Sequence, residues 1–295
     1  MHDAFFKDPA VTDSATYWMS DPPSAARTRT SLVGWGLDAD AQLLPWGAIP
    51  DGFDRSRVLK LVLDHDDKAV VNIPGVIRDL PNLLWLTLPR RFVPQLTEGA
   101  IPPTVRTVHV SGGGKAALPK ALALPGLTRL YSDRDGMLAF SRDQVPGVDE
   151  LAIKFDPGGK VLREVLGMRR LIALAALPFS NRGILEAVAT LPLRYLKASR
   201  GNLDAVEPLR ECPSLTDIWL EDLSKLTSIV SLAELPDLRE LTVTYCGRLR
   251  LDRSLLRMPA LRKLSFFACR DIGLTPLRPE IERLGLEHFL PSGTT

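Results

Sequence analysis

The stretches ELPDLRELTV (234–243) and RMPALRKLSF (257–266) decide the fold, because they are two copies of one pattern. Each reads apolar, Pro, any residue, Leu, two further residues, Leu, one residue and an apolar residue. The pattern recurs, with substitutions, in DLPNLLWLTL (79–88), QVPGVDELAI (144–153) and ECPSLTDIWL (211–220). Such a repeat predicts similar coils that stack and bury a continuous core.

One apolar residue in the middle of each copy marks the repeat and is called the anchor below. Eleven anchors can be followed along the chain: Val58, Leu83, Val105, Leu127, Val148, Met168, Leu193, Leu215, Leu238, Leu261 and Ile281. Successive anchors lie 20 to 25 residues apart. This period is typical of one class of repeat, in which each coil contains a short strand followed by a return segment.

With cores such as LRELTV and LRKLSF, the chain resembles the leucine-rich repeat family over residues 55–290, in an irregular bacterial form. The resemblance implies an α/β solenoid of about 11 repeats, a curved horseshoe with a parallel sheet on the concave face and short helices on the convex face. Eight residues after the anchor the family usually has Asn or Cys. Here Cys occurs at that position only as Cys246 and Cys269, and Asn is absent from it, which predicts irregular turns.

Three segments are predicted from where the repeat can be followed. Residues 1–54 are expected to form an N-terminal cap that shields the first coil, and Leu32, Trp35 and Leu37 fit the spacing of one degenerate repeat within it. Residues 55–290 form the leucine-rich repeat domain, and residues 291–295 form a C-terminal tail.

Composition is that of an ordinary folded chain, with 295 residues, 45% apolar and 24% charged. The net charge of +2 does not favour nucleic acid as a partner, and no apolar run is long enough for a membrane span. Three cysteines without a close pair favour a reducing cytoplasm. The 27 Arg against 10 Lys and the four Asn are typical of a GC-rich bacterial source.

Motifs that could support catalysis are incomplete. SGGGKAAL (111–118), read as a turn before a helical stretch, lacks the Ser or Thr of a phosphate loop, and the acidic cluster 64–67 is interpreted as a solvated turn rather than a metal site. Cys269-Arg270-Asp271 resembles a bacterial ubiquitin-ligase signature, but the chain leaves no room for the catalytic domain. The four histidines are scattered. We therefore expect a protein that is not an enzyme and uses no cofactor and no metal.

Positions two, four, six and seven after each anchor are predicted to face outward on the concave side. All eight His, Tyr and Trp residues of the repeat region fall there: His65, Trp85, His109, Tyr131, Tyr195, Trp219, Tyr245 and His288. Charge is segregated on the same positions. Basic residues predominate in coils two to seven, as Arg90, Arg129, Arg134, Lys154, Arg170, Lys197 and Arg200 against Asp133 and Glu150, whereas coils eight and nine contribute Asp217, Glu221, Asp222 and Glu240.

Amphipathic rings of this kind anchor protein interfaces. The expected function is a non-enzymatic protein–protein interaction module, an adaptor or inhibitor that binds a partner protein on its concave face. The candidate partner-binding residues are Trp85, His109, Arg129, Tyr131, Phe155, Tyr195, Lys197, Arg200, Asp217, Trp219, Glu221, Tyr245 and Phe267. Two alternatives stay open: a small-molecule or carbohydrate binder or enzyme with a pocket on the same face, and an immunity protein that neutralises a toxin.

Overall fold

The structure, a computed structural model, describes residues 15–21, 42–65, 67–269, 276–284 and 287–289. The chain divides into two compact units, Met1–Lys154 and Phe155–Thr295. Each unit contains a sheet of parallel strands with one strand per coil, and each is described separately below.

The first unit contains a seven-stranded parallel sheet in the order β9-β7-β5-β4-β3-β1-β2. Its strands are β1 (Thr16–Ser20), β2 (Gln42–Pro45), β3 (Lys60–Asp64), β4 (Trp85–Pro89), β5 (Thr107–Ser111), β7 (Arg129–Ser132) and β9 (Glu150–Lys154). A second sheet pairs β6 (Gly114–Ala117) with β8 (Gly136–Ala139). The residues after SGGG therefore form a strand, so the helical stretch expected there is a wrong prediction.

The second unit contains six parallel strands in the order β15-β14-β13-β12-β11-β10. They are β10 (Ala173–Leu177), β11 (Tyr195–Gly201), β12 (Asp217–Leu223), β13 (Glu240–Thr244), β14 (Lys263–Phe267) and β15 (Glu287–Phe289). The α-helices are α1 (Lys160–Leu166), α2 (Arg182–Val188) and α3 (Arg278–Arg283). Other coils return through 3-10 helices: Arg55–Arg57, Gly75–Asp79, Arg90–Gln95, Arg142–Gln144, Glu207–Glu211, Val230–Glu234 and Arg253–Arg257.

Side chains along each strand point alternately to the two sides of the sheet, and this alternation determines which residues form the core. On β13, Leu241 and Val243 are fully buried, whereas Glu240 and Thr242 point to the other side of the sheet. Leu241 pairs in register with Ile218 and Leu264, so equivalent residues of successive coils stack on one another. All eleven anchors are buried as predicted. A single coil cannot enclose these side chains, and stacking removes them from water.

The predicted register is wrong in two coils. Ala173 pairs with Tyr195, which makes Leu171 rather than Met168 the equivalent of the other anchors. Arg170 consequently lies in a turn and not on a strand. In the last coil, Ile281 is buried within α3, and the strand begins at Glu287. The backbone of His288 pairs in register with Leu264.

The N-terminal segment adds two strands to the first sheet. β1 pairs with β3, and β2 pairs with the other edge of β1. Tyr17 and Met19 lie in register with Leu61 and Leu63 and are buried, so they cover the inward residues of the first coil. The capping role of residues 1–54 stays a prediction. The proposed degenerate repeat at Leu32, Trp35 and Leu37 lies outside the described residues.

Candidate partner-binding surface

The side of each sheet that carries the residues two, four and six positions after the anchors is called the strand face. The opposite surface, with the α-helices and 3-10 helices, is called the helix side. The structure places Trp85, His109, Arg129 and Tyr131 on the strand face of the first unit. It places Tyr195, Lys197, Asp217, Trp219, Glu221 and Phe267 on the strand face of the second unit. Arg200 is the residue before the last one of β11, and Phe155 and Tyr245 directly follow β9 and β13.

In the first unit, the candidate residues contact one another. The rings of Trp85 and Tyr131 lie 5.7 Å apart, and the Lys60 ammonium lies 5.1 Å from the Trp85 ring centroid. The Tyr131 hydroxyl donates to Glu150 Oε2 at 3.0 Å, and Arg129 Nε lies 3.2 Å from Glu150 Oε1. Burial raises the pKa of Glu150, and Arg129 opposes that shift. Tyr131 is only 6% exposed, so it packs beneath the surface and offers little contact area to a partner.

His109 and Asp133 form a second pair on this strand face. His109 Nε2 lies 2.8 Å from Asp133 Oδ1, and the Gly112 amide donates to Asp133 Oδ2 at 2.6 Å. The hydrogen bond from His109 lowers the pKa of Asp133 most strongly, so the carboxylate stays ionised at neutral pH. His109 is therefore oriented by its neighbour.

Arg90, which was expected among the outward basic residues, is buried. Its side chain runs across two neighbouring coils: Nε donates to the Gly112 carbonyl at 2.9 Å, and Nη2 donates to Ser132 Oγ at 2.7 Å. A Cβ atom at Gly136 would lie 1.8 Å from Arg90 Nη2. Arg90 therefore connects neighbouring coils of the first unit by hydrogen bonds. Its guanidinium occupies the space that a side chain at Gly136 would fill. Burial lowers its pKa.

In the second unit, Trp219 lies at the centre of a polar cluster. The Lys197 ammonium lies 3.3 Å from the Trp219 ring centroid and 3.2 Å from Glu221 Oε2, which also accepts from Ser199 Oγ at 3.0 Å. Trp219 Nε1 donates to Thr244 Oγ1 at 3.1 Å. One face of the indole is thus covered by a cation.

Two candidate aromatic residues of this unit are not available at the surface. Tyr195 is 3% exposed and Phe155 is 4% exposed. Phe155 packs edge to face against Phe179, with ring centroids 5.9 Å apart. Both residues stabilise the surface without offering contact area to a partner.

Left-handed backbone recurs at the seventh position after the anchor in four successive coils. The residues are Arg200 (φ 51°), Asp222 (φ 54°), Tyr245 (φ 56°) and Ala268 (φ 52°), together called the edge row. All four are exposed, whereas the next residue of three of these coils, Leu223, Cys246 or Cys269, is buried. The left-handed residue therefore turns the chain so that one side chain faces solvent and the next enters the core. For a residue other than glycine this backbone costs about 1–2 kcal/mol.

Tyr245 and Phe267 form the exposed aromatic pair of this unit. Tyr245 is 54% exposed and Phe267 is 45% exposed, and their rings meet edge to face with centroids 5.7 Å apart. Thr244 pairs in register with Phe267, which brings the two rings together from neighbouring coils.

Acidic side chains lie at both ends of β12 and β13: Glu221 and Asp222 at the carboxyl end, where this pair lies, and Asp217 and Glu240 at the amino ends. Asp217 and Glu221 are on β12 and Glu240 is on β13, while Asp222 belongs to the edge row. Glu240 Oε2 lies 3.5 Å from Lys263 Nζ. Burial is the main reason why the pKa of Asp217 is raised, and the charge of Glu240 adds to the shift. Ionised Asp217 therefore costs folding free energy at this place.

A cleft of 340 Å³ lies at the carboxyl ends of the strands in the second unit. Its polar lining includes Ser180, Arg200, Asn202, Asp222 and Ser224, from three successive coils. Two residues of the edge row with opposite charges, Arg200 and Asp222, therefore line the same cleft.

The three cysteines are free and buried, and burial raises the pKa of Cys246 to about 12. Such a thiol is protonated at neutral pH and unreactive. Among the described residues, no three His, Cys, Asp or Glu side chains are grouped so that they could hold a metal ion. Within the same part of the chain, no helix is long and apolar enough to span a bilayer.

A parallel strand in every coil, buried anchors and helical return segments define the leucine-rich repeat fold. Among solved structures, the chain is similar to internalin C2 of Listeria monocytogenes, with 18% identity, a TM-score of 0.40, and 83% of this chain and 93% of that chain covered. It is also similar to a leucine-rich repeat protein of Leptospira interrogans, with 17% identity, a TM-score of 0.39 and coverage of 81% and 79%. No protein-family model and no curated protein matches the sequence.

Proposed function

We propose that this protein is a non-enzymatic protein-interaction module of the bacterial cytoplasm, an adaptor or inhibitor that binds a partner protein through its strand face. The observation that carries the proposal is the exposed aromatic pair Tyr245 and Phe267 beside Glu221 and Asp222 at the carboxyl end of β12. Aromatic anchors flanked by charge are typical of protein interfaces. Neutralisation of a toxin, as an immunity protein, would be one instance of this inhibitor role.

The second candidate is a binder of a small polar molecule, and the cleft of 340 Å³ favours it. Arg200 and Asp222 line this cleft together with amide and hydroxyl groups, and convergent polar groups of this kind can orient a small ligand. The partner-protein proposal accounts for more of the exposed surface, because the aromatic pair lies outside the lining of the cleft.

Affinity capture from the native cell tests the proposed function. The immobilised chain is compared with two strand-face variants, Trp219→Ala and Lys154→Glu, and with the helix-side variant Arg163→Glu. Circular dichroism verifies that each variant is folded. We expect a protein that the wild type and Arg163→Glu retain and that at least one strand-face variant loses. Retention by both strand-face variants and loss by Arg163→Glu would assign binding to the helix side.

A further inference from the structure

We propose that the amino ends of the strands in the second unit form a basic surface that binds an acidic segment of the partner protein. This amino-end surface is defined as the first residue of each strand from β10 to β14 with the four residues before it: 169–173, 191–195, 213–217, 236–240 and 259–263. The inference rests on the proposed function and adds a contact surface next to the strand face and the chemistry of its occupant.

The amino-end surface has a surplus of positive charge. Its basic residues are Arg169, Arg170, Arg194, Arg239, Arg262 and Lys263, and its acidic residues are Asp217, Asp237 and Glu240. Six basic groups against three acidic groups leave a net charge of +3 on five short segments, whereas the whole chain of 295 residues carries +2. Complementary charge favours an acidic occupant for this surface and disfavours a basic one.

Backbone hydrogen bonds place three of these arginines in one row. The Thr216 amide donates to the Arg194 carbonyl at 2.8 Å. The Arg239 amide donates to the Thr216 carbonyl at 2.7 Å, and the Arg262 amide donates to the Arg239 carbonyl at 2.8 Å. The row therefore crosses four successive coils, with about 4.8 Å between neighbouring backbones. Arg194, Arg239 and Arg262 are all exposed, and they are called the arginine row below.

The guanidinium groups of the arginine row keep their hydrogen-bonding capacity. Within the described part of the chain, no carboxylate lies within 4.0 Å of them and they donate no hydrogen bond. Arg194 and Arg239 attract Asp217 only at longer range, and Glu240 is paired with Lys263 at 3.5 Å. A guanidinium can bind a carboxylate through two parallel hydrogen bonds, so the row offers strong contacts to an acidic side chain.

The fold does not require arginine at this place. Ile172 and Thr216 occupy the same row in neighbouring coils, and the Arg194 amide donates to the Ile172 carbonyl at 2.8 Å. Arg239 and Arg262 lie directly next to each other, and like charges on neighbouring strands destabilise a sheet. Exposed arginines that repel each other without contributing to the core indicate a role in binding.

The distribution of charge favours an acidic polypeptide over a nucleic acid. A nucleic acid presents a negative charge at every phosphate, and the carboxylates of Asp217, Asp237 and Glu240 would repel such a continuous line of charge. An extended polypeptide can place acidic residues opposite the arginines and neutral residues opposite these carboxylates.

Fluorescence anisotropy of a labelled peptide of alternating Glu and Ser, titrated with the full-length protein, tests the proposal although the partner is unidentified. The wild type should bind this peptide, and added salt should weaken the complex, because salt screens exposed charges. A peptide of alternating Lys and Ser should not bind. Failure of the Glu peptide to bind, or equal binding of the two peptides, would overturn the proposal.

A double variant assigns the peptide to the arginine row. Arg239→Gln combined with Arg262→Gln should raise the Kd of the Glu peptide about tenfold or more, because two charge-assisted contacts are lost. The melting temperature should stay the same or rise, since the two like charges no longer repel each other.

Arg163→Gln combined with Arg253→Gln is the matched control. This double variant removes two exposed arginines from the helix side of the same unit and changes the net charge by the same amount. It should change the Kd by less than about twofold, since these charges lie outside the contact. Equal losses in both double variants would show that the peptide responds only to total charge. A marked fall in the melting temperature of the arginine-row variant would assign Arg239 and Arg262 to packing. Either result would overturn the proposal.

Two further outcomes separate the occupant and the proposed function. Tighter binding of single-stranded oligothymidylate than of the Glu peptide, lost in the arginine-row variant, would assign the surface to nucleic acid and overturn the acidic protein segment. A captured partner protein that loses binding in Trp219→Ala but not in the arginine-row variant would overturn the inference and leave the proposed function in place. Loss of that partner only in the helix-side double variant would overturn both.

Discussion

At the scale of single residues, close approach of two backbones explains the glycine at position 201 better than side-chain chemistry does. Phe179 and Gly201 form a bridge at the ends of β10 and β11, and a Cβ atom at Gly201 would lie 1.9 Å from the Phe179 carbonyl oxygen. The neighbouring atom belongs to the main chain, so a rotamer change cannot relieve the overlap. The repeat pattern contains no sign of this contact, because several residue types occur at the eighth position after the anchor.

Gly201→Ala is expected to lower the free energy of unfolding of the second unit by about 1–3 kcal/mol or more, the usual cost of overpacking. Guanidinium unfolding followed by tryptophan fluorescence measures it. Gly247→Ala is the control, because nothing lies within 4 Å of its added Cβ atom. Equal stability of the two variants would mean that the chain segments at Gly201 do not approach as closely as described.

At the scale of strands and coils, the alternation of apolar and polar residues within each repeat predicts most of the fold. Nine of the eleven anchors and the parallel strands follow from apolar residues at regular spacing, because only one side of each strand can be buried. The predicted register of the sixth coil is wrong because both Met168 and Leu171 are buried apolar residues, three positions apart. Sequence alone could not choose between them, since the 3-residue difference also fits the variable length of the return segment.

Leu241→Asp should destabilise the second unit by several kcal/mol, because the side chain is fully buried and its carboxylate would lie between Ile218 and Leu264. Denaturant unfolding should show a large shift of the midpoint. Thr242→Asp places the same charge on the strand face of the same strand and should have a much smaller effect. Similar losses in both variants would contradict the inward register of β13.

The pH dependence of stability tests whether the ionised carboxylate of Asp217 destabilises the fold. Burial raises its pKa above the ordinary 3.8, so the folded state binds this proton more tightly than the unfolded chain and is penalised once the group ionises. Asp217→Asn should therefore raise stability at neutral pH. The gain should shrink as the pH falls through the folded-state pKa and disappear below 3.8.

Asp252→Asn is the control, because its effect on stability at neutral pH should have the opposite sign to that of Asp217→Asn. The hydrogen bond that the Ser254 amide donates to Asp252 Oδ1 lowers the pKa of Asp252, so its contribution is present above 3.8 and lost at lower pH. This substitution should lower stability at neutral pH or leave it unchanged. If Asp217→Asn also lowers stability at neutral pH, the carboxylate of Asp217 stabilises the fold and carries no penalty.

At the scale of the whole molecule, the net charge of +2 gives no indication of the local surplus of acid on β12 and β13. The strand-face positions of Trp85, His109, Tyr131, Tyr195 and Trp219 could be predicted, but their exposure could not. Tyr131 and Tyr195 are buried by neighbouring side chains from other coils, whereas Tyr245 is exposed by its left-handed backbone. Exposure depends on contacts between coils, which a pattern within one repeat does not contain.

Titration calorimetry of the captured partner protein against wild type, Tyr245→Gly and Arg163→Glu tests the central claim most directly, because it compares the strand face with the helix side on one scaffold. We expect Tyr245→Gly to weaken binding by about 2 kcal/mol, as loss of a central aromatic anchor does, and Arg163→Glu to bind as the wild type does. Undiminished binding of Tyr245→Gly together with weakened binding of Arg163→Glu would contradict recognition through the strand face.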